Sequence, residues 1–353
     1  MGRPWREQLE DRARAALPAP VLEYVLQGAR EGVTAAEATE AWRQVRFLPR
    51  VLRDVTEVDL SVDLLGRRAR VPWGVAPSTL QRAVHPEGEL AMARATAAAG
   101  TVMVVSSNVG TPFAEIAATG VRWWVQAYLP ADRSLADGLL TRARDAGAEA
   151  VVLTVDTPVV GTKYTAGAPV WDVVDPALLR VNFDAGYDDD APGAVKATDL
   201  GPADLARLRE VTGLPVLVKG VLRPDDARAC LDAGAAAVWV SNHGGRQLDR
   251  AATTAACLPG VVAAVGERAP VYVDGGLRSG LDVLAALALG ADAVFLGRSP
   301  LLALVDGEGG VARLHRDLAA EVDEALRLAG CRSVADTPAL LLTDRRDERR
   351  QGL

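Results

Sequence analysis

The chain is poor in groups that would carry metal or disulfide chemistry. Its three cysteines, Cys230, Cys257 and Cys331, share no metal-ligand spacing and suggest no disulfide framework. A reducing cytoplasm is the expected compartment. Long apolar runs are also missing. Nothing approaches the roughly 20 residues of a membrane-spanning helix. The charged opening MGRPWREQLEDRARAALP has no apolar core for a secretion signal. Positive charge is not in excess, with 39 Lys and Arg against 46 Asp and Glu and a formal charge of −7. That balance gives no footprint for nucleic acid or an anionic membrane. Histidine is scarce, at three in 353 residues, so one set among reactive side chains is a candidate for chemistry.

Apolar residues are plentiful, at 49%, and they come in a rhythm. Residues 4–45 read as helices. Leu9, Ala13, Ala16 and Leu17 recur at helical spacing until Pro18 stops them. A second helix runs from Pro20 toward Gly28. Thr34 followed by Glu37 predicts a capping box for a third. Residues 56–70 read as a hairpin that turns at Gly66. Eight short apolar runs then start near Val71, Thr101, Arg122, Ala150, Pro215, Val238, Val271 and Ala293. Alanine-rich helical patterns separate most of them, at 87–99, 132–146, 202–212, 225–233 and 280–289. Alternation of this kind implies a parallel sheet, and eight units close naturally into a TIM barrel. The expected fold is α/β: a (β/α)8 barrel, 71–330, after an N-terminal helical segment, 1–55, in one domain spanning 1–353.

The ends of the runs carry the chemistry. In order they reach Ser78-Thr79, Ser106, Gln126 with Tyr128, Thr154 with Asp156, Lys219, Ser241 with His243, Asp274-Gly275-Gly276, and Gly297-Arg298. In a TIM barrel these ends share one face, where active sites lie. The fourth and fifth runs are much further apart than the others. The extra segment, 157–198, leaves that face, and we expect it to be a lid over the substrate.

Two stretches point to specific chemistry. DGGLRSG at 274–280 and LGRS at 296–299 follow the seventh and eighth runs. Their glycine-rich amides, with Arg278 and Arg298, suit a phosphate. VWVSNHGGRQLD at 238–249 passes from strand to a turn holding Ser241, His243 and Arg246. His243 suits a base that titrates near working pH. Arg246 suits a carboxylate clamp.

SNHGGRQLD resembles the active-site signature of the FMN-dependent 2-hydroxy-acid oxidases and dehydrogenases. RFLPRVLRDVTEVD, HPEGE, LTVDTP, LPVLVKGV, ALALGADAVFLGR and AGCRS extend the likeness from about residue 20 to 335. The resemblance implies FMN, a small 2-hydroxy-acid substrate and a homo-oligomer, tetramer or octamer. It places Asp274, Gly275, Gly276, Arg278, Gly297 and Arg298 at the phosphate and ribityl chain. Lys219, Ser106, Gln126, Thr154 and Ser241 would surround the ring, with Pro77, Ser78 and Thr79 near N5. It pairs His243 with Asp156 and puts Tyr24, Tyr128, Arg246 and Lys163 at the substrate. It implies that His243 is the base while two electrons pass to N5. His85, in HPEGE, reads as a structural turn and helix start.

Three positions depart from the family's habit. Lys163 stands where an arginine is usual, Asn108 where several members have tryptophan, and Thr79 where many have a small residue. Two alternatives stay open beside the oxidase or dehydrogenase. Similar phosphate loops also serve isomerases that use reduced flavin, so one is an isomerase-type reaction on the same barrel. The three departures motivate the other, an FMN-binding barrel with an atypical substrate or a non-catalytic flavin-binding protein.

Overall fold

The computed structural model of the protein describes residues 4–164 and 167–341. Two residues of the expected lid, 165 and 166, and both ends of the expected 1–353 domain therefore lie outside the described residues. After the N-terminal helices comes an antiparallel ribbon of β1 (Val62–Leu64) and β2 (Arg67–Ala69). Leu65 and Gly66 turn it with φ of 52° and 78°, the doubly left-handed conformation of a tight hairpin.

Eight strands follow: β3 (Trp73–Val75), β4 (Val102–Ser106), β5 (Arg122–Ala127), β6 (Val151–Thr154), β7 (Val216–Val221), β8 (Ala237–Val240), β9 (Val271–Val273) and β10 (Ala293–Leu296). All pair in parallel, and β10 returns to β3 to close the barrel. Each begins within a few residues of the expected apolar run. Both faces of such strands are covered, which is why their sequences are continuously apolar and not alternating. Helices Gly88–Ala99, Asp137–Asp145, Pro202–Thr212, Pro224–Asp232 and Gly280–Ala288 lie between them, near the expected segments.

Aromatic rings fill the barrel. Trp124, Trp239, Tyr272 and Phe295 meet there, with Trp239 and Phe295 centroids 4.0 Å apart. Gly74 is required beside them, because a Cβ there would stand 2.5 Å from the Phe295 ring. Leu64 and Ala69 of the ribbon join this core. Arg122, at the start of β5, donates to the Leu64 carbonyl. The ribbon therefore plugs the N-terminal end of the barrel and leaves the opposite end open.

Helices Leu9–Ala16, Ala19–Leu26 and Val33–Arg43 form the N-terminal segment. The capping box at Thr34 does not form. Gly32 is the N-cap, and Asp249 accepts from the Thr34 amide at 3.0 Å. A carboxylate from far along the chain outcompetes the local side chain. The third helix props the mouth of the barrel: Trp42 Nε1 donates to the Gly275 carbonyl at 2.7 Å, and Thr39 Oγ1 to that of Gly276 at 3.0 Å. Within the long insert, buried Asn182 ties the chain to the loop after β4. Its amide donates to the Thr111 carbonyl and its oxygen accepts from the Phe113 amide, both at 2.9 Å. His85 behaves as expected: its Nδ1 accepts from the Glu87 amide ahead of the helix that starts at Gly88.

His315 is a core histidine. Trp73 Nε1 donates to its Nδ1 at 3.0 Å, and burial pushes its pKa down to about 4. The folded state therefore favours the neutral ring, while the unfolded chain protonates near 6.5. The stability this provides is present above about pH 6.5 and is lost as pH falls toward 4. It amounts to about 3 kcal/mol. We expect the stability deficit of His315→Gln, measured by chemical unfolding, to shrink by about that amount between pH 7 and pH 4. A deficit independent of pH would refute a neutral buried ring.

Candidate functional site

A cavity of about 610 Å³ opens at the C-terminal ends of the strands. Every site residue expected from the sequence lines it except Asp156 and Ser241. Those two stand immediately behind the wall and position what does.

Three glycines shape the central turn. His243, Gly244 and Gly245 all have positive φ, at 57°, 63° and 75°. A Cβ on Gly245 would stand 2.5 Å from the Ala35 backbone nitrogen. Gly220 is the third: at φ 112° it forms a register break in β7, and a Cβ there would meet Asp156 at 2.7 Å. Asp156 can therefore lie close against β7 and reach the histidine.

His243 Nδ1 is 2.8 Å from Asp156 Oδ1. An ionised carboxylate only accepts, so Nδ1 carries the proton and Nε2 holds the free lone pair. Thr157 Oγ1 donates to the same Asp156 oxygen at 3.1 Å. On the other side, Tyr128 Oη lies 3.4 Å from His243 Nε2. Burial lowers the His243 pKa and outweighs the opposing charge of Asp156. Burial acts to raise Asp156, but the charges of His243 and Lys219 and its hydrogen bonds keep it below the ordinary carboxylate range. The resting pair is thus neutral imidazole and carboxylate. Burial, with the Asp156 charge, holds Tyr128 well above an ordinary phenol, so it remains a donor.

Ser241 is the hub of a second network. It accepts from Lys219 Nζ at 2.9 Å and from the His243 amide at 3.1 Å, and donates to Asp274 Oδ1 at 2.6 Å. Lys219 and Asp274 are also ion-paired at 3.3 Å, both buried. A buried lysine needs such an anion. Its neighbours at the strand ends are incompletely bonded. Ser106 donates to Gln126 Oε1 at 3.1 Å. Among the described residues, Gln126 Nε2 and Thr154 Oγ1 are buried without a partner. Such groups ask for a polar ligand.

The cationic residues are held differently. Arg246 donates to the carbonyls of Tyr24 at 2.6 Å and Gln27 at 3.1 Å, with its guanidinium over the Tyr24 ring. Arg298 donates to the carbonyls of Val25 and Gln27. Arg278 donates to that of Leu277. Among the described residues none of the three pairs with a carboxylate. Burial, then repulsion from Arg278 and Arg246, pulls Arg298 down to about 9. Two half-buried guanidiniums beside Gly275, Gly276 and Gly297 therefore fit an anion. Asp274, Lys219 and the unpartnered Gln126 and Thr154 groups fit a polar ring system beside it. FMN has both parts.

The departures are also connected. Lys163 does not point freely into the cavity: its ammonium donates to the carbonyls of Gly161 and Arg246. Burial, then the charges of Arg246 and Lys196, pulls it down to about 8. Thr79 Oγ1 donates to the Asn108 carbonyl at 2.7 Å, and Asn108 Oδ1 accepts from Arg180 at 2.7 Å. Arg180, Lys196 and Trp171, all from the insert, also line the cavity. No sequence signal marks these three, since the insert has no period and no motif around them.

A family model described as FMN-dependent dehydrogenase matches residues 13–344. The chain is 41% identical over 348 residues to glycolate oxidase 1 of Oryza sativa subsp. indica, covering 94% of each protein. It is 42% identical over 342 residues to 4-hydroxymandelate oxidase of Amycolatopsis orientalis, covering 92% of this chain and 94% of that one. A crystal structure of mandelate oxidase with (S)-4-hydroxymandelic acid superposes with a TM-score of 0.87 at 40% identity, covering 95% and 97% of the two chains. A barrel with a His243–Asp156 pair and a cationic cradle, matched along nearly its whole length, belongs to the FMN-dependent dehydrogenase family, with FMN as its cofactor.

Proposed function

We propose that the protein oxidises an (S)-2-hydroxy acid to the 2-keto acid, and that oxygen or another acceptor then takes up the electrons. The observation that carries this is the His243–Asp156 pair, with Nε2 free beside the Tyr128 hydroxyl and Arg246 near the same cavity wall. The relatives named glycolate oxidase and 4-hydroxymandelate oxidase support the substrate class.

Arg246 grips the carboxylate, because its charge is held by carbonyls and is not already neutralised. Tyr24 and Tyr128 orient the acid, and Lys163 stiffens the Arg246 loop through its carbonyl. His243 Nε2 takes the proton, and Asp156 then stabilises the imidazolium. FMN, when bound, supplies the two-electron acceptor. Arg278, Arg298, Asp274 and the glycines 275, 276 and 297 would hold its phosphate and ribityl chain. Lys219, Ser241, Ser106, Gln126 and Thr154 would hold its ring, with Pro77, Ser78 and Thr79 alongside. The segment 157–198 acts as a lid that keeps water from the substrate, supported by its place in the cavity wall.

The same reading makes 1–353 one catalytic domain, in a cytoplasmic homo-oligomer, tetramer or octamer. Among the described residues no helix is long and apolar enough to cross a membrane. Exposed Leu48, Val51 and Leu52 support a contact between copies, which light scattering after gel filtration would measure.

The functional test is an anaerobic visible spectrum with a panel of 2-hydroxy acids. At least one should bleach the flavin, and admitting air then tests for oxidase behaviour. His243→Ala should stay yellow but reduce its flavin at least about 10²–10⁴-fold more slowly. Flavin that no acid bleaches would move the assignment to a non-catalytic barrel or another reaction.

The base must be neutral to act. Because burial lowers the His243 pKa, kcat/KM should fall with acid only below about pH 6.5, the ordinary histidine value. Asp156 raises that pKa, so Asp156→Asn should move the acid limb to lower pH while lowering the rate. A limb that moves upward would contradict the pairing.

A further inference from the structure

One wall of the cavity carries charge that the proposed reaction leaves unused. Lys196 lies in the insert, bridged through its backbone to Pro130 beyond β5. Its ammonium stands 3.8 Å over the ring centroid of Tyr128, whose hydroxyl faces the base. Among the described residues it has no carboxylate or carbonyl partner. Burial pulls it down to about 8, against the more distant charge of Asp156. Lys163 and Arg246 share this end of the cavity. The substrate's own carboxylate answers Arg246 and leaves Lys196 facing only an aromatic ring.

Arg180 lines the same wall but is already neutralised: Asp189 accepts from its Nε at 3.0 Å and from its Nη2, and Asn108 Oδ1 accepts from its Nη1. Asn108, Tyr128, Arg180 and Lys196 line both the main cavity and a smaller chamber of about 220 Å³ behind them. A ring face offers an ammonium only part of what an anion would. Base and cation lie against the hydroxyl and the face of the same tyrosine. An acid whose C2 sits at His243 therefore brings the end of a short side chain toward Lys196.

We infer that Lys196 forms a second anion subsite, and that the substrates favoured are 2-hydroxy acids with a second carboxylate at the end of a short side chain. This rests on the 2-hydroxy-acid reading above. The lining of the smaller chamber by Leu135, Leu139, Leu140 and Phe183 would favour the opposite, a long neutral chain, so the two are set against each other in the test.

Flavin bleaching is measured anaerobically with (S)-malate and (S)-2-hydroxyglutarate against (S)-2-hydroxybutyrate, (S)-2-hydroxyvalerate, (S)-2-hydroxyoctanoate and (S)-mandelate. The diacids should show the higher kcat/KM. Lys196→Met should lower the diacid-to-monoacid ratio about tenfold, and Lys196→Arg should retain it. Bound flavin reports folding in each variant. Preference for neutral acids, or a ratio unmoved by Lys196→Met, overturns the subsite and leaves the 2-hydroxy-acid reading standing. Bleaching by none of the acids overturns both.

Discussion

The active end of this barrel depends on cations held by carbonyl oxygens. Arg246 and Arg298 both lie at the C-terminal end of the helix Ala19–Leu26, on the carbonyls of Tyr24, Val25 and Gln27. The last carbonyls of a helix are unpaired within it and carry its partial negative charge. They orient a guanidinium without cancelling it. A carboxylate in the same place would neutralise the charge and leave nothing for a ligand. One helix end thus orients two guanidiniums, Arg246 and Arg298, and leaves the charge of both available. Burial makes that arrangement expensive when no anion is present, as the lowered pKa of Arg298 reflects.

The reactive network is ordered the other way, around explicit carboxylates. Asp156 fixes the imidazole tautomer and Asp274 balances Lys219. Ser241 joins the two through the His243 amide and the Lys219 ammonium. The His243–Asp156 and Lys219–Asp274 pairs are therefore one hydrogen-bonded unit spanning the ends of β6, β7, β8 and β9. A shift in any one strand would be felt by both pairs.

Much of this was legible in the sequence for a simple reason. A parallel strand buried on both faces reads as an apolar run, and its last residues face the mouth. Position along the chain therefore announced position in space for Gln126, Thr154, Lys219 and Asp274. The N-terminal segment was harder. Thr34 carried a local capping signal, yet Asp249 caps that helix, and no local pattern encodes such a partner. Arg180, Lys196 and Trp171 were invisible because the insert is irregular. Its residues are placed by tertiary ties such as Asn182. The departures at Thr79 and Asn108 looked independent in the sequence; in the fold they touch each other, and Asn108 meets Arg180.

The prop between Trp42 and Gly275 spans 233 residues. On the ribosome the N-terminal helices emerge before the barrel strands, but the loops they dock against come from β8, β9 and β10. Until those strands are made, the apolar faces of Val21, Leu22, Val25 and Trp42 have no native surface to cover them. This part of the chain must wait, exposed, while the strands are made, a period in which aggregation competes with folding. Completion of the barrel mouth is therefore a late event of folding, although the helices that prop it are made before every barrel strand.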